Sequence, residues 1–384
     1  MGGVTGTASS AGATRLLYID NLRILLTVLV ILLHLSIGYG APGDWYYNEE
    51  GTVGTIPFIA MTLFVVVNQA FFMGFFFMVS SYFSPASLER KGASAFLRDR
   101  FLRLGVPILV YALVLNPLLV AVLVVRSDPS LGYLEVLTSR YGELLGVGPT
   151  WFLEALLLFS VGFVVWRFFR PQTKPAGQPS PLGNGTMAMF ALGLGTVTAF
   201  VRIWLPVGWW LEPIHFQLAH FPQYVSLFAV GVAAYRRGWI EGLTRAQGRF
   251  WFRVSLGLIA FFPVLFVAGG ALDGDLDPFV GGVHWQQLAY AVWEQLTCVA
   301  VVVTLLVAFR ARFNIQGRLA RAMSRAAYAT YVVHAPIITL LALGLSGIEM
   351  DLALKFVLVA PLAVGASFLG GYVVKQLPVA RNIV

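Results

Sequence analysis

The sequence predicts an all-α protein, a polytopic membrane helix bundle of about ten spans with both termini cytoplasmic. Three observations carry this. The 384 residues are 58% hydrophobic and only 11% charged, whereas roughly a quarter of a soluble domain is charged. Apolar runs recur at about 20 residues, the length of a helix that crosses a bilayer core. The cationic residues are also segregated. Of 26 Lys and Arg, all but Arg126, Arg140, Arg202 and Lys355 fall on the side of the N-terminus once the spans are threaded back and forth. That is the positive-inside pattern of cytoplasmic flanks. The net charge of +8 is therefore mainly a topological signal, and no soluble surface is left for a nucleic-acid patch.

The spans are justified in order by their flanks. The first, 21–40, carries Arg15 and Arg23 at its start. The second and third, 55–79 and 102–125, are joined through Arg90, Lys91, Arg98, Arg100 and Arg103. The fourth and fifth, 150–169 and 186–206, are joined through Arg167, Arg170 and Lys174. The sixth and seventh, 217–235 and 252–271, enclose Arg236, Arg237, Arg245, Arg249 and Arg253. The eighth and ninth, 286–309 and 326–346, enclose Arg310, Arg312, Arg318, Arg321 and Arg325, and the tenth, 353–375, ends on Lys375 and Arg381. Intervening loops on the other face hold Asp44, Glu49, Glu50, Asp273, Asp275 and Asp277.

Residues 1–14 are small and uncharged and read as a disordered tail. The first apolar run is longer than a signal-peptide core, which argues against cleavage. Within the membrane domain, 15–384, the stretch 170–185, RPQTKPAGQPSPLGNG, reads as a flexible cytoplasmic linker. No soluble domain is expected at either end, and no internal repeat supports an inverted-repeat transporter. The single Cys298 excludes an internal disulfide framework, and no histidine spacing suggests a metal site.

The chemistry starts in the first span, LLYIDNLRILLTVLVILLHLSIGYG. Arg23 and His34 are 11 residues apart, which is three helical turns plus about 20°, so they share one face. Asp20 lies on nearly the same stripe. An ionisable residue as deep as His34 normally faces a bundle interior or a cavity. Arginine at the cytosolic mouth suits a phosphate, gripped by a planar fork. Histidine further in suits general-base work near neutral pH. A ligand with a phosphorylated head and a long arm ending in a reactive group satisfies both, as a coenzyme A thioester does.

Other ionisable residues are candidates. Glu154, near the outer end of the fourth span, needs a partner: a histidine, an acceptor hydroxyl, or Arg202 in a structural pair. Glu294 in the eighth span raises the same question. His334 sits at a depth comparable to His34, with Tyr328 and Tyr331 at three-residue steps before it. Pro336 frees a backbone carbonyl one turn back, which His334 or a tyrosine is expected to satisfy. Asn68 and Gln69 are expected to bond between helices.

The motif YIDNLRILLTVLVILLHLSIGYG resembles the first helix of the acyltransferase-3 family of integral membrane O-acyltransferases, whose Arg and His eleven positions later are matched by Arg23 and His34. FFFMVSSYFSPASLERKGASAFLRDRFLRLGVPILVY, GPTWFLEALLLF, FPQYVSLFAVGVAAYRRGWI and AAYATYVVHAPII resemble later segments, so the likeness covers nearly the whole chain. The loop GAPGDWYY resembles the glucan-biosynthesis-protein-C-like branch. The resemblance implies an acyl-CoA co-substrate, no metal, and acyl transfer to a hydroxyl of a glycan or other envelope or small-molecule acceptor at the cytoplasmic membrane. With that donor, the residues read as His34 the base with Glu154 in support, and Arg23, Arg100 and Arg103 the grip on CoA phosphates; the resemblance strengthens Arg100 and Arg103. Asp20, Tyr331, His334 and Glu294 are secondary candidates. The rival class is a proton-coupled transporter or exporter, in which the buried His and Glu form a relay.

Overall fold

The computed structural model describes residues 16–170, 182–271, 275–378 and 380–383. The expected N-terminal tail and most of the 170–185 linker lie outside the described residues. Among the described residues, nine helices are long and apolar enough to cross a membrane. They are α1 (Leu17–Gly38), α2 (Thr55–Lys91), α3 (Ala93–Ser127), α4 (Gly148–Phe169), α5 (Asn184–Arg202), α7 (Arg245–Ala268), α8 (Trp285–Arg312), α9 (Arg318–Gly344) and α10 (Leu352–Gln376). Between α5 and α7 lies α6 (Phe221–Arg237), 17 residues long and begun by a tight turn at Leu218–His220. It corresponds to the predicted sixth span and is near the lower length limit for crossing. The chain is a multi-pass membrane protein with the expected helical bundle.

Helices α1, α2, α8 and α9 each bury more than half of their apolar span inside the protein, while α3, α4, α5, α7 and α10 bury a third or less. The first group is the core and the second faces outward. In a bilayer the outward apolar surface costs nothing, so helices associate through close packing and interhelical hydrogen bonds. Gly231 of α6 shows the packing. A Cβ there would overlap Ser81 Oγ and the Met78 carbonyl of α2. Gly231→Ala is expected to cost roughly 1–3 kcal/mol by overpacking, read as a lower melting temperature in detergent; an unchanged melting point would show that the two helices separate freely.

One end of the bundle is tied together by polar contacts. Asn21 Nδ2 donates to the Phe313 carbonyl at 2.6 Å. Tyr82 Oη donates to Glu241 at 2.5 Å, and Arg310 Nη1 donates to the Glu241 carbonyl at 2.9 Å. Lys375 Nζ donates to the Arg325 carbonyl at 2.6 Å. This end carries the basic last turns of α4, α6, α8 and α10. It is called the basic end below. At the other end, Lys355 forms a buried ion pair with Glu49, holding the loop after α1 against α10.

Helix α3 departs from α-geometry. It widens into π-helical turns over Phe101–Gly105 and Tyr111–Leu115, preceding Pro107 and Pro117 in pattern. Each proline lacks an N–H and leaves the carbonyl four residues earlier without its α-helical donor. Tyrosines supply replacements: Tyr328 Oη donates to the Arg103 carbonyl, and Tyr141 Oη to the Leu113 carbonyl at 2.5 Å. The expectation for Pro336 is corrected here, because His334 bonds the Tyr331 carbonyl rather than the one Pro336 releases. Asn68 likewise donates to the Phe64 carbonyl of its own helix, not across helices.

Candidate functional site

Two polar centres sit along α1. The first is a cavity of about 850 Å³ at the basic end, lined by Asp20, Arg23, Thr27, Arg100, Arg103, Arg325, Tyr328 and Lys375. Arg23 and Thr27 share a face of α1, and Arg100 and Arg103 come from the start of α3, so the three arginines expected at a mouth line one cavity. Arg23 Nη1 lies 3.4 Å from Asp20 Oδ1, and its guanidinium lies over the Phe83 ring. Arg100 Nη2 donates to Ser84 Oγ at 3.2 Å. Arg103 Nε lies 3.3 Å from Asp99. Such a concentration of guanidinium groups offers bidentate donors to phosphate oxygens.

The second centre is a histidine pair. His34, four residues before the end of α1, meets His334 of α9 with Nδ1 and Nε2 at 3.1 Å. His334 Nδ1 lies 2.6 Å from the Tyr331 carbonyl oxygen. A carbonyl only accepts, so His334 Nδ1 carries a proton and, in the neutral ring, Nε2 accepts. His34 Nδ1 must then donate, and His34 Nε2 keeps its lone pair. The hydrogen bonds thus fix the tautomer that a general base needs, on an atom that makes no protein hydrogen bond of its own among those described. His334 is fully buried, while His34 is partly exposed.

The loop between α1 and α2 covers this pair. Trp45 stacks on the His34 ring with centroids 3.9 Å apart and planes 12° apart. Tyr46 Oη meets Tyr111 Oη at 3.1 Å and donates to Asn116 Oδ1. Asn116 Nδ2 in turn donates to the Leu144 carbonyl at 2.8 Å. Burial pushes the Tyr46 phenol up to about 12, so it remains a donor through the physiological range. Gly148 takes φ 45° beside Tyr46, and a Cβ there would collide with the Tyr46 hydroxyl. Trp45, Tyr46, Tyr111 and Asn116 were not singled out as site residues by sequence reasoning. For Trp45 and Tyr46 the signal was GAPGDWYY, whose three consecutive aromatics follow His34 by 11 to 13 residues; Tyr111 and Asn116, in YALVLN of α3, carried none.

The packing interrupts the path that a long ligand arm would take along α1 from Arg23 to His34. Phe76, Phe152 and Tyr331 line the inner end of the arginine cavity, and His34 is not part of its lining. Their rings lie 5.6–6.2 Å apart, and the Tyr331 ring is 5.7 Å from that of His334. One aromatic layer therefore separates the two centres, with Tyr331 contacting both. Its hydroxyl donates to the Pro149 carbonyl, which holds the ring in place.

Glu294 falls elsewhere. Glu294 forms a fully buried pair with Arg202 at 2.7 Å, flanked by His220 at 3.4 Å and Gln295 at 3.2 Å. Arg202 also donates to the Ala219 carbonyl at 3.2 Å. This cluster ties α5, α6 and α8 together, and among the described residues it has no hydrogen bond or ion pair to the histidine pair. It also removes Arg202 as the partner for Glu154. Glu154 Oε2 is buried without a hydrogen-bond partner among the described residues.

A multi-pass helical bundle with an arginine-lined cavity at one end and a tautomer-fixed histidine in the last turns of its first helix defines a class of membrane-embedded proteins equipped for group transfer. The chain belongs to the acyltransferase-3 family: residues 16–375 match that family's profile, described as an acyltransferase domain. It is similar to glucans biosynthesis protein C of Salmonella heidelberg (strain SL476), 27% identical over 202 residues, 50% of each chain. It is also similar to glucans biosynthesis protein C of Salmonella schwarzengrund (strain CVM19633), 29% identical over 195 residues, 48% of this chain and 49% of that one. The chain spans about half the length of the relatives it matches. No solved structure matches it.

Proposed function

We propose that the protein is a membrane-bound O-acyltransferase that moves an acyl group from cytosolic acyl-CoA to a hydroxyl of a glycan or other envelope or small-molecule acceptor. The observation that carries this reading is the His34–His334–Tyr331 hydrogen-bond chain, which leaves His34 Nε2 as a proton acceptor. The basic end is cytoplasmic on the positive-inside argument, and the protein resides in the cytoplasmic membrane. Acyl-CoA docks there with its phosphates on Arg23, Arg100 and Arg103, and Asp20 holds Arg23. The pantetheine arm follows α1 past Thr27, and the thioester reaches His34 when the Phe76–Phe152–Tyr331 layer parts.

The acceptor approaches from the end covered by Trp45. His34 Nε2 removes the hydroxyl proton, and the oxygen attacks the thioester carbonyl. The C–S bond breaks, the ester forms, and the thiolate leaves with the proton returned from His34. His334 holds the ring and its tautomer and so acts as a positioning residue. Glu154, with an unsatisfied oxygen, is assigned to the acceptor's other hydroxyls. The name of the Salmonella relatives agrees with a glucan acceptor. Neither a metal nor a further cofactor takes part in this scheme.

Purified protein should consume labelled acyl-CoA when an acceptor glycan is present, and intact-mass analysis should show the acylated glycan. Absence of consumption, together with proton-driven solute flux in vesicles, would replace this reading with the transporter. Arg23→Ala and Arg100→Ala should each raise KM for acyl-CoA roughly 10-fold or more, the loss of one charged hydrogen bond, with kcat nearly unchanged. An unaltered KM would remove that arginine from the donor site.

A further inference from the structure

A groove of about 1080 Å³ runs between α4 and α6 on the outer surface of the bundle. Phe159 and Phe228, with ring centroids 5.5 Å apart, form its floor. Leu158 and Val225 stand exposed at its rim. The groove therefore faces the hydrocarbon of the bilayer rather than the interior. From Val225 to Arg236 it extends 11 residues, about 16 Å of helical rise, close to one leaflet's share of a 30 Å core.

Its basic end is built differently. Arg236 and Arg237 line it, and Arg167 stands in the last turn of α4, the groove's other wall. Arg167 Nε and Arg236 Nε are both shielded from solvent and have no hydrogen-bond acceptor among the described residues. Glu89 Oε1 sits at a long 3.8 Å from Arg236 Nη2. Two guanidinium groups with unused donors, at the end of an apolar trough one leaflet long, suit an anion with a hydrocarbon chain.

We propose that this groove is a binding site for an anionic phospholipid of the leaflet at the basic end. One acyl chain lies over Phe159 and Phe228, and the phosphate bridges Arg167 and Arg236. The occupant is a lipid rather than a soluble phosphate because the trough is apolar and open to the bilayer. The site is distinct from the arginine cavity along α1 and does not depend on the acyltransferase reading.

The test is lipid retention by the purified full chain in detergent micelles containing equal phosphatidylglycerol and phosphatidylcholine, read by native mass spectrometry. The wild type should retain phosphatidylglycerol in preference. Arg167→Gln and Arg236→Gln should each reduce that preference roughly fivefold, equivalent to about 1 kcal/mol for one arginine beside an anionic lipid. Glu89→Gln, which removes the competing carboxylate, should increase it, and a gain cannot come from misfolding. Gly162→Phe should abolish retention, because a side chain there enters open space in the groove. Arg321→Gln, at the same end on α9, should change nothing. Equal retention of both lipids by the wild type, or a preference untouched by Arg236→Gln, would overturn the proposal. So would full displacement by glycerol phosphate lacking chains.

Discussion

His34→Ala should lower acyl transfer by roughly 10²–10⁴-fold, the usual contribution of a positioned general base, while the protein keeps its melting temperature and elution volume. The residue as a whole is only partly buried, outside the fully buried core, so its truncation is expected to cost little packing. Its structural contacts are one hydrogen bond to His334 and the stack against Trp45. His334→Gln should lower kcat by a smaller factor and leave KM for the donor unchanged, because it disturbs the tautomer and orientation of His34 and not the phosphate grip. The pair of results separates base from positioning residue. A fully active His34→Ala protein would dismiss the histidine chain as catalytic machinery, and a raised donor KM in His334→Gln would show that His334 touches the donor.

Disruption of the Arg202–Glu294 pair should produce the largest loss of stability. Both side chains are almost completely buried, at 0% and 1% exposure. Removing one partner strands the other charge, which typically costs 3–5 kcal/mol. Arg202→Met and Glu294→Gln should each lower the melting temperature sharply in detergent or prevent isolation of a monodisperse protein. The double variant Arg202→Met with Glu294→Leu should recover most of that loss, since an apolar pair of similar volume leaves no unpaired charge. Retained acyl transfer in the double variant would assign Glu294 to the scaffold. Loss of transfer in a stable double variant would return it to the chemistry.

These two centres show where sequence reading works. Arg23 and His34 lie on one helix, and an 11-residue separation defines their relation before any tertiary contact is known. Helix existence was legible for the same reason: a span must be apolar over about 20 residues and satisfy its own backbone, both local requirements. The arginines of α3 were legible as a cluster because they fall within one turn of each other.

Contacts between distant segments were not legible. His34 and His334 are 300 positions apart, and nothing in the local pattern of either specifies the other. Both Glu154 and Glu294 invited pairing with Arg202, and only the packing of α5 against α8 gives that arginine to Glu294. The aromatic layer at Phe76, Phe152 and Tyr331 arises from three helices, so the face that Arg23 and His34 share on α1 gave no sign of it.

The sequence by itself determined the ten apolar segments, the basic end and the Arg23–His34 stripe, because chain-local hydrophobicity and helical periodicity set all three. Only the tertiary structure decided which nitrogen of His34 is left as a base, which carboxylate is held in an ion pair, and that an aromatic wall divides the two polar centres. Those outcomes depend on side chains from separate helices meeting within hydrogen-bond or van der Waals distance, and helix-to-helix register in a bilayer is set by close packing that no single span encodes.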